Sequence, residues 1–574
     1  MKRVIFTLYD DIKTTNDTWN NNLHAREQIK DYWDRLLDNK REYAEKIGAD
    51  FKFYHNTMKD FDVPHDLEFT RVNLYKHHIF AELADEYDEV MYCDMDVIFN
   101  TDENIFEEND LSKGIHIKDQ DEGIREKEIE NISFNQIGQR DPTLKYHITK
   151  DLLGGKDCHV LNTGVMLGRS EHIKQIKYIE RIKEAADKVE QIKSENLKGD
   201  NCVYLRMYYY PNNESLFSYI MEHYNVPYVL MDKEWHHIIS IGLQKLDWSK
   251  IKVAHFISKK FHTYFKDKTT CFFSIYIDIP EEKLDNPRGH KDDTVGKSMR
   301  TKQRLAKYHE KLRENHREYC KSIGATYLEF GYDEQYIEFA KRFPDLSEYN
   351  IVNLYKVWLL DKVTHDYDLV GYIDLDVYFE GEHDPFDYLF CEHTLCCDIW
   401  DAYESGVNIR DKDYIKKYNK DFRNPQAKYW NAHAMLQEED RDGDNWVFNT
   451  GIMFASRKVM EQLDYFGDID YVIDMMKELQ EFSMYPDNIQ ASFGYDNETI
   501  MSYKTQMNNV PVSRLDQKWH HKHDYNVPES HVRGSQPFER TKHTLRLDIK
   551  THEVQLIHFI SKNFGLVFDE DTGD

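Results

Sequence analysis

The chain has little of what cross-links, interrupts or anchors a fold. Its 574 residues include only eight cysteines, 13 prolines and 24 glycines. The cysteines never fall as Cys-x-x-Cys, which argues against a zinc site and leaves residues such as Cys93 to be read as reduced core thiols. Sparse Pro and Gly leave no low-complexity linker, and the only biased tail is a short acidic end at 569–574. No stretch reaches the roughly 18 apolar residues that span a bilayer. A basic block is also missing. Against 104 acidic residues stand 75 basic ones, a net charge of −29. Such a polyanion is a poor partner for nucleic acid or an anionic membrane, and an anionic substrate would need a metal ion or a few placed lysines. Aromatics are plentiful at 14%, with 39 tyrosines. They are read first as core and second as platforms for carbohydrate.

What is present is present twice. RVNLYKHHIFAELADEYDEVMYCDMDVI (71–98) is answered by IVNLYKVWLLDKVTHDYDLVGYIDLDVY (351–378). Asn73 and Asn353, and likewise Asp94 and Asp374, stand 280 residues apart. The match extends in both directions and in constant order. Val4–Tyr9 answers Cys271–Tyr276, and 31–54 answers 307–330. Leu161-Asn162-Thr163-Gly164 answers Phe448-Asn449-Thr450-Gly451, and Asn213-Glu214-Ser215 answers Asn497-Glu498-Thr499. Trp235-His236-His237 answers Trp519-His520-His521, and His255-Phe256-Ile257-Ser258-Lys259 answers His558-Phe559-Ile560-Ser561-Lys562. Two tandem domains are expected, 1–266 and 267–574, joined near Lys266–Thr270 with almost no linker. The apolar run after Met1 stops at Asp10-Asp11 and has an internal counterpart at 271–276, so it is read as a first strand and not as a signal peptide. A cytoplasmic location is the expectation.

Within each copy, strand-like and helix-like segments alternate. Val4–Tyr9 and Phe51–Tyr54 have strand length, 24–47 carries helical spacing up to Gly48, Asn73–Ala84 predicts a helix, and Glu89–Phe99 predicts one strand. Alternation of this kind predicts an α/β fold with a mainly parallel sheet, helices on both faces, and ligands at the carboxyl ends of the strands.

The Asp-x-Asp falls at such an end. Residues i and i+2 of a strand project together, so Asp94 is paired with Asp96 and Asp374 with Asp376. Two close carboxylates repel unless a cation lies between them, and a hard divalent ion, Mn²⁺ or Mg²⁺, fits. Alone, the tripeptide is also common in surface turns; the apolar flanks and the repetition in register favour the metal reading. His255 and His558 follow apolar residues, as at a strand end; alone each reads as a core histidine satisfied by hydrogen bonds, but the paired recurrence beside a lysine favours a neutral imidazole joining such an ion. Lys259 and Lys562, four residues on, are placed to meet phosphate oxygens. Asn162-Thr163-Gly164 and Asn449-Thr450-Gly451 suit a sugar hydroxyl and a close backbone approach, or a plain turn. Glu214 and Glu498 stand at a helix start, where a glutamate is as readily a dipole or capping residue as a catalytic one. Trp-His-His is left open between an acceptor groove and packing.

A Lys-bearing helix, an apolar strand ending Asp-x-Asp, an Asn-x-Gly strand start, an acidic helix start and a late His-Phe, in this order, resemble the GT-A-fold glycosyltransferases. The likeness is greatest to retaining ones of the glycogenin and lipopolysaccharide galactosyltransferase type. It covers nearly the whole chain, once per copy. The resemblance implies two tandem Rossmann-like nucleotide-diphospho-sugar transferase domains. Asp94, Asp96 and His255, and Asp374, Asp376 and His558, would hold Mn²⁺ or Mg²⁺ on a nucleotide diphosphate. Lys76 and Lys356 would lie near the nucleotide, and Asn162, Gly164, Asn449 and Gly451 near the donor sugar. Glu214 and Glu498 would lie under the anomeric carbon. Asp496 stands where copy one has Asn212 and joins the candidate catalytic acids. Copy two has additional residues near 522–555, expected as a loop beside the acceptor.

The expectation is a tandem, metal-dependent, retaining hexosyl- or pentosyltransferase, bifunctional if both copies act, that takes a nucleotide-diphosphate sugar and a glycan or other hydroxyl acceptor. Its alternatives are one active and one structural copy, a nucleotidyltransferase that makes nucleotide sugars, and a non-enzymatic glycan-binding protein. The Gly-rich basic loop of the nucleotidyltransferase is missing from Asp10–Thr18 and Asp278–Gly289.

Overall fold

Val4, Phe6 and Leu8 of the first apolar run lie on one side of a strand and Ile5 on the other, all buried. A strand covered on both faces has no polar side to show, which is why it reads as a continuous apolar run. This strand and the other elements are those of a computed structural model. It describes the chain apart from residues 12–19, 59–60, 62–67, 121–141, 196–209, 240–245, 281–293, 402–425, 442–445, 483–496, 523–541, 560–561, 563 and 569–574. The chain divides into two units, Met1–Tyr264 and Phe265–Asp574.

In the first unit the strands are β1 (Arg3–Tyr9), β2 (Asp50–His55), β3 (Glu89–Cys93), β4 (Val97–Phe99), β5 (Ile115–Asp119), β6 (Leu161–Arg169), β7 (Tyr228–Leu230), β8 (His237–Ile238) and β9 (Val253–His255). Six of them form one sheet in the order β2-β1-β3-β6-β5-β7. The β1–β2, β1–β3 and β5–β7 pairings are parallel, and β3–β6 and β5–β6 are antiparallel. A small second sheet, β4-β9-β8, stands at the end of β3. The helices that matter for the site are α1 (Asn20–Asp31), α2 (Trp33–Lys46), α3 (Glu68–Glu86), α4 (Pro142–Leu152) and α5 (Asn213–His223). Val90 and Tyr92 of β3 pack with Leu74, Ile79 and Phe80 of α3, while Met91 and Cys93 pack with Tyr43 and Ala44 of α2. The sheet is thus covered on both faces, as the alternation of elements predicts.

The second unit repeats the plan with β10 (Thr270–Tyr276), β11 (Thr326–Gly331), β12 (Leu369–Ile373), β13 (Val377–Phe379), β14 (Leu395–Asp401), β15 (Trp446–Ala455), β16 (Val512–Arg514) and β17 (Leu556–His558). Its six-stranded order, β11-β10-β12-β15-β14-β16, is that of the first unit. Its helices include α6 (Thr294–Ile323), α7 (Glu348–Val363), α8 (Gln426–Glu438), α9 (Asn497–Met507) and α10 (Lys542–His552).

Three expectations need correction. The helix expected over 24–47 is two helices, parted at Tyr32, whose φ of −109° leaves the helical region although the Leu36 amide still donates to its carbonyl at 2.9 Å. The strand expected over Glu89–Phe99 is two strands, because Asp94–Asp96 form a turn. The loop expected near 522–555 ends in the helix α10, and residues 523–541 lie outside the described residues. Among the described residues, no helix is long and apolar enough to cross a membrane.

Candidate metal centres

The Asp-x-Asp carboxylates converge through a turn and not through strand alternation. The Val97 amide donates to the Asp94 carbonyl at 3.1 Å, and Val377 to Asp374 at 3.0 Å. Three anchors hold that turn. The Asp94 amide donates to the Gly164 carbonyl of β6 at 2.8 Å, and Asp374 to Gly451 of β15 at 2.7 Å. Asn39 of α2 grips both backbone groups of Phe99 at 2.8 and 2.9 Å, and Asn315 of α6 does the same to Phe379. The third anchor differs between units. Fully buried Lys40 donates to the Met95 and Val97 carbonyls at 2.8 and 2.6 Å, which satisfies an ammonium that burial would otherwise penalise. In its place His316 donates from Nε2 to the Val377 carbonyl at 2.6 Å. Burial lowers the His316 pKa to about 4, so it serves as a neutral donor.

The small sheets deliver the histidine. β9 runs antiparallel to β4 with His255 opposite Val97, the residue after Asp96. In the second unit β17 sets His558 opposite Val377. One ligand atom each from Asp94, Asp96 and His255 falls within 4.8 Å of the others, and the same holds for Asp374, Asp376 and His558. His255 Nε2 is 3.5 Å from an oxygen of each aspartate. His558 Nε2 is 3.9 Å from Asp374 and 3.5 Å from Asp376. Two carboxylates and one imidazole on a buried floor form a donor set suited to Mn²⁺ or Mg²⁺.

The glycines explain themselves at this point. A Cβ on Gly164 would stand 2.1 Å from His255 Cε1, and one on Gly451 2.3 Å from His558 Cε1. In this structure the imidazole needs the bare backbone, a neighbour that neither expected use, ligand approach or plain turn, had named.

Cations surround the acids. Lys76 of α3 and Lys356 of α7, both buried, place Nζ 3.6 Å from Asp94 and Asp374. Lys259 and Lys562 bond directly to Asp96 and Asp376, each from a left-handed backbone with φ of 59° and 61°. The expectation of two mutually repelling carboxylates is therefore corrected. Burial pushes Asp96 and Asp376 up, but the adjacent lysine and histidine outweigh it and hold both carboxyls well below the usual range. Tyr92 and Tyr372 donate their hydroxyls to Asp94 and Asp374.

Asn162 and Asn449 turn their side-chain carbonyls back on the Gly164 and Gly451 amides at 2.9 and 3.0 Å. The Asn162 amide group reaches Glu214 at 3.3 Å. Glu214 is not the helix cap: Asn212 is, accepting from the Glu214 and Ser215 amides. The Glu214 carboxylate pairs instead with Lys145 of α4. Glu498 accepts from the Thr450 amide at 3.1 Å. Asp496 lies outside the described residues.

His236 of the Trp-His-His segment is buried, with Nε2 3.1 Å from His255 Nδ1, and His520 is 2.8 Å from His558 Nδ1. His255 and His558 are thus each backed by a second histidine, and the segment lines no groove at that residue. Sequence reasoning missed Tyr92, Tyr372, Lys145 and Lys40. Only the tyrosines carried a signal, since they recur two residues before each first aspartate.

No family model matches the chain, and no curated protein matches it. Solved structures do. The apo structure of the bifunctional glycosyltransferase WbbM aligns over 98% of this chain and 94% of its own, at 10% identity and a TM-score of 0.27. A glycosyltransferase involved in glycosylation of the major capsid of PBCV-1 aligns over 46% of this chain and 100% of its own, at 13% identity and 0.24. Mouse xyloside xylosyltransferase 1 aligns over 45% and 98%, at 12% identity and 0.27. Similarity at these scores carries no functional argument, which has to come from the two donor sets and the side chains around them.

Proposed function

We propose that the chain is a tandem GT-A-type glycosyltransferase, one domain per unit, that moves a sugar from a nucleotide-diphosphate donor to a hydroxyl of a glycan or other acceptor. The observation that carries this reading is the Asp-Asp-His donor set, built twice on the same aspartate-amide to glycine-carbonyl bond at the carboxyl ends of β3 and β12. Asp94, Asp96 and His255, and Asp374, Asp376 and His558, would hold Mn²⁺ or Mg²⁺. Such an ion supplies charge stabilisation to a departing nucleotide diphosphate.

The chain's own groups do the rest. Lys76 and Lys356 neutralise the outer carboxylate and face the nucleotide. Lys259 and Lys562 sit on the inner carboxylate and lie within reach of phosphate oxygens. Glu214 and Glu498, beside Asn162 and Thr450, stabilise positive charge at the anomeric carbon with retention of configuration. A hexose or a pentose fits this chemistry equally. The Lys145–Glu214 pair supports a division of labour, because it neutralises the carboxylate that copy one would use. Seven buried free cysteines among the described residues support a cytoplasmic site of action.

The test is a panel of nucleotide-diphosphate sugars with Mn²⁺, scored by thermal stabilisation and then by hydrolysis or transfer. One donor should stabilise the protein and be turned over. Stabilisation by nucleoside triphosphate and sugar phosphate, with no nucleotide sugar active as donor, would give the nucleotidyltransferase the better claim.

A further inference from the structure

One buried position beside each donor set changes sign between the units. Lys118 of β5 is paired with Asn162 of β6, and Asp398 of β14 with Asn449 of β15, each just past a bulge in the ladder. All four residues are buried. Residues directly paired across a ladder project to the same face. Ile117 and Leu161 turn into the core formed with Leu74 of α3 and Leu216 of α5, so their successors, Lys118 and Asn162, turn to the opposite face. Gly164 shows what that face holds, since its absent Cβ would meet His255 and Asp94. The second unit is built alike. Cys397 and Phe448 belong to the core, and a Cβ on Gly451 would meet His558 and Asn449. Asp398 Oδ2 lies 3.9 Å from His520, the ring behind His558.

The surroundings of the position differ as well. Lys522 bonds Asp398, whereas the residue that answers Lys522 in the first unit is Ile238. Glu214, which Asn162 contacts, is bonded to Lys145. An ammonium donates only, and in a buried wall its strongest bonds are to anionic oxygens. Such a wall favours a ligand that brings a carboxylate. Asp398, balanced by Lys522, does the reverse. It accepts from sugar hydroxyls and repels a second carboxylate, an attractive and a repulsive element at one place.

We propose that Lys118 makes the first unit selective for a donor whose sugar carries a carboxylate, a nucleotide-diphosphate hexuronate, and that Asp398 suits the second unit to a neutral sugar. The inference rests on the glycosyltransferase reading, in which Asn162 and Asn449 lie near the donor sugar. It goes beyond that reading by naming the class of sugar for each unit and the residue that selects it.

The experiment uses the full-length chain with Mn²⁺, no acceptor, and two matched donor pairs: UDP-glucose with UDP-glucuronate, and GDP-mannose with GDP-mannuronate. Asp376→Ala leaves the first unit to bind and Asp96→Ala the second, and calorimetry reads affinity. In the first unit one uronate should bind about tenfold tighter or more than its neutral counterpart, the effect of a single charge-assisted hydrogen bond. In the second unit the order should reverse. Lys118→Met should bring the first unit's ratio to about one by weakening the uronate alone, and Lys118→Arg should preserve it. A lysine with a merely structural role would move both members of a pair together. Asp398→Asn should relax the second unit's rejection of uronate, an arm that stands even where Lys118→Met impairs folding. A ratio near one in the first unit, the same order in both units, equal losses for both donors in Lys118→Met, or a first unit that binds none of the four overturns the proposal and leaves the glycosyltransferase reading to the second unit's binding. Binding of no donor by either unit overturns both.

Discussion

Gly164 stands against His255 so closely that the smallest side chain would occupy the imidazole: a Cβ at residue 164 falls 2.1 Å from Cε1 and 2.6 Å from Nδ1. Gly164→Ala should therefore push His255 off the two carboxylates, and Gly451→Ala should do the same to His558. Mn²⁺ affinity of the altered unit should fall by about tenfold or more while its sheet persists. Titration of Mn²⁺ beside circular dichroism checks this. Unchanged affinity would mean that the histidine is no ligand.

Chelation is the second test. Stripping divalent ions should abolish transfer, and Mn²⁺ or Mg²⁺ should restore it, because Lys76 and Lys259 are already engaged with Asp94 and Asp96. Full turnover in chelator would refute the metal assignment. Asp96→Ala is not expected to be silent for folding, since it strands the Lys259 ammonium that it now balances.

Glu498→Gln separates chemistry from architecture. Loss of a favourable helix-terminus charge costs about 1 kcal/mol at most. Loss of a carboxylate that stabilises the transition state should lower kcat by about 100-fold or more with donor affinity nearly unchanged. Glu214→Gln should behave differently. It leaves Lys145 without its carboxylate, so a fall in melting temperature of the first unit is expected with it. Steady-state kinetics and melting curves on the two variants decide. A normal kcat for Glu498→Gln would remove the catalytic role and move attention to Asp496.

Acid should loosen the second unit through His316. Its pKa is lowered from 6.5 to about 4 by burial, so between these values the unfolded chain binds the proton and the folded one does not. Stability from this group is fully present above about pH 6.5 and is lost as pH falls toward 4, on the order of 3 kcal/mol in all. His316→Gln should be less stable at neutral pH yet flatter across that window. Denaturant unfolding at stepped pH, wild type against variant, measures the difference.

The sequence showed those parts of the site that lie close together in the chain. Asp94 and Asp96 are near neighbours, and their repetition 280 residues on made them visible. The strands buried on both faces read as apolar runs, so the layered α/β plan was legible too. What stayed hidden depends on pairing between distant segments. His255 was legible by its recurrence at His558, but the β4–β9 ladder that carries it across 159 residues to the turn, and His236 standing behind it, were not. Lys145 meets Glu214 by the packing of α4 on α5, for which local spacing offers no cue. The turn at Asp94–Asp96 was mistaken for strand because Val97–Phe99 resumes the apolar run at once.

The amides of Asp94 and Asp374 end in ladder bonds to Gly164 and Gly451, on strands adjoining β3 and β12. The carboxylates therefore ride on backbone that opens only when the sheet does. Hydrogen exchange at these two amides should be as slow as in the central strands, although Asp94 itself is part exposed to solvent. A receptor built this way spends little ordering entropy on its ligand, so its affinity is set by charge and not by folding around the guest.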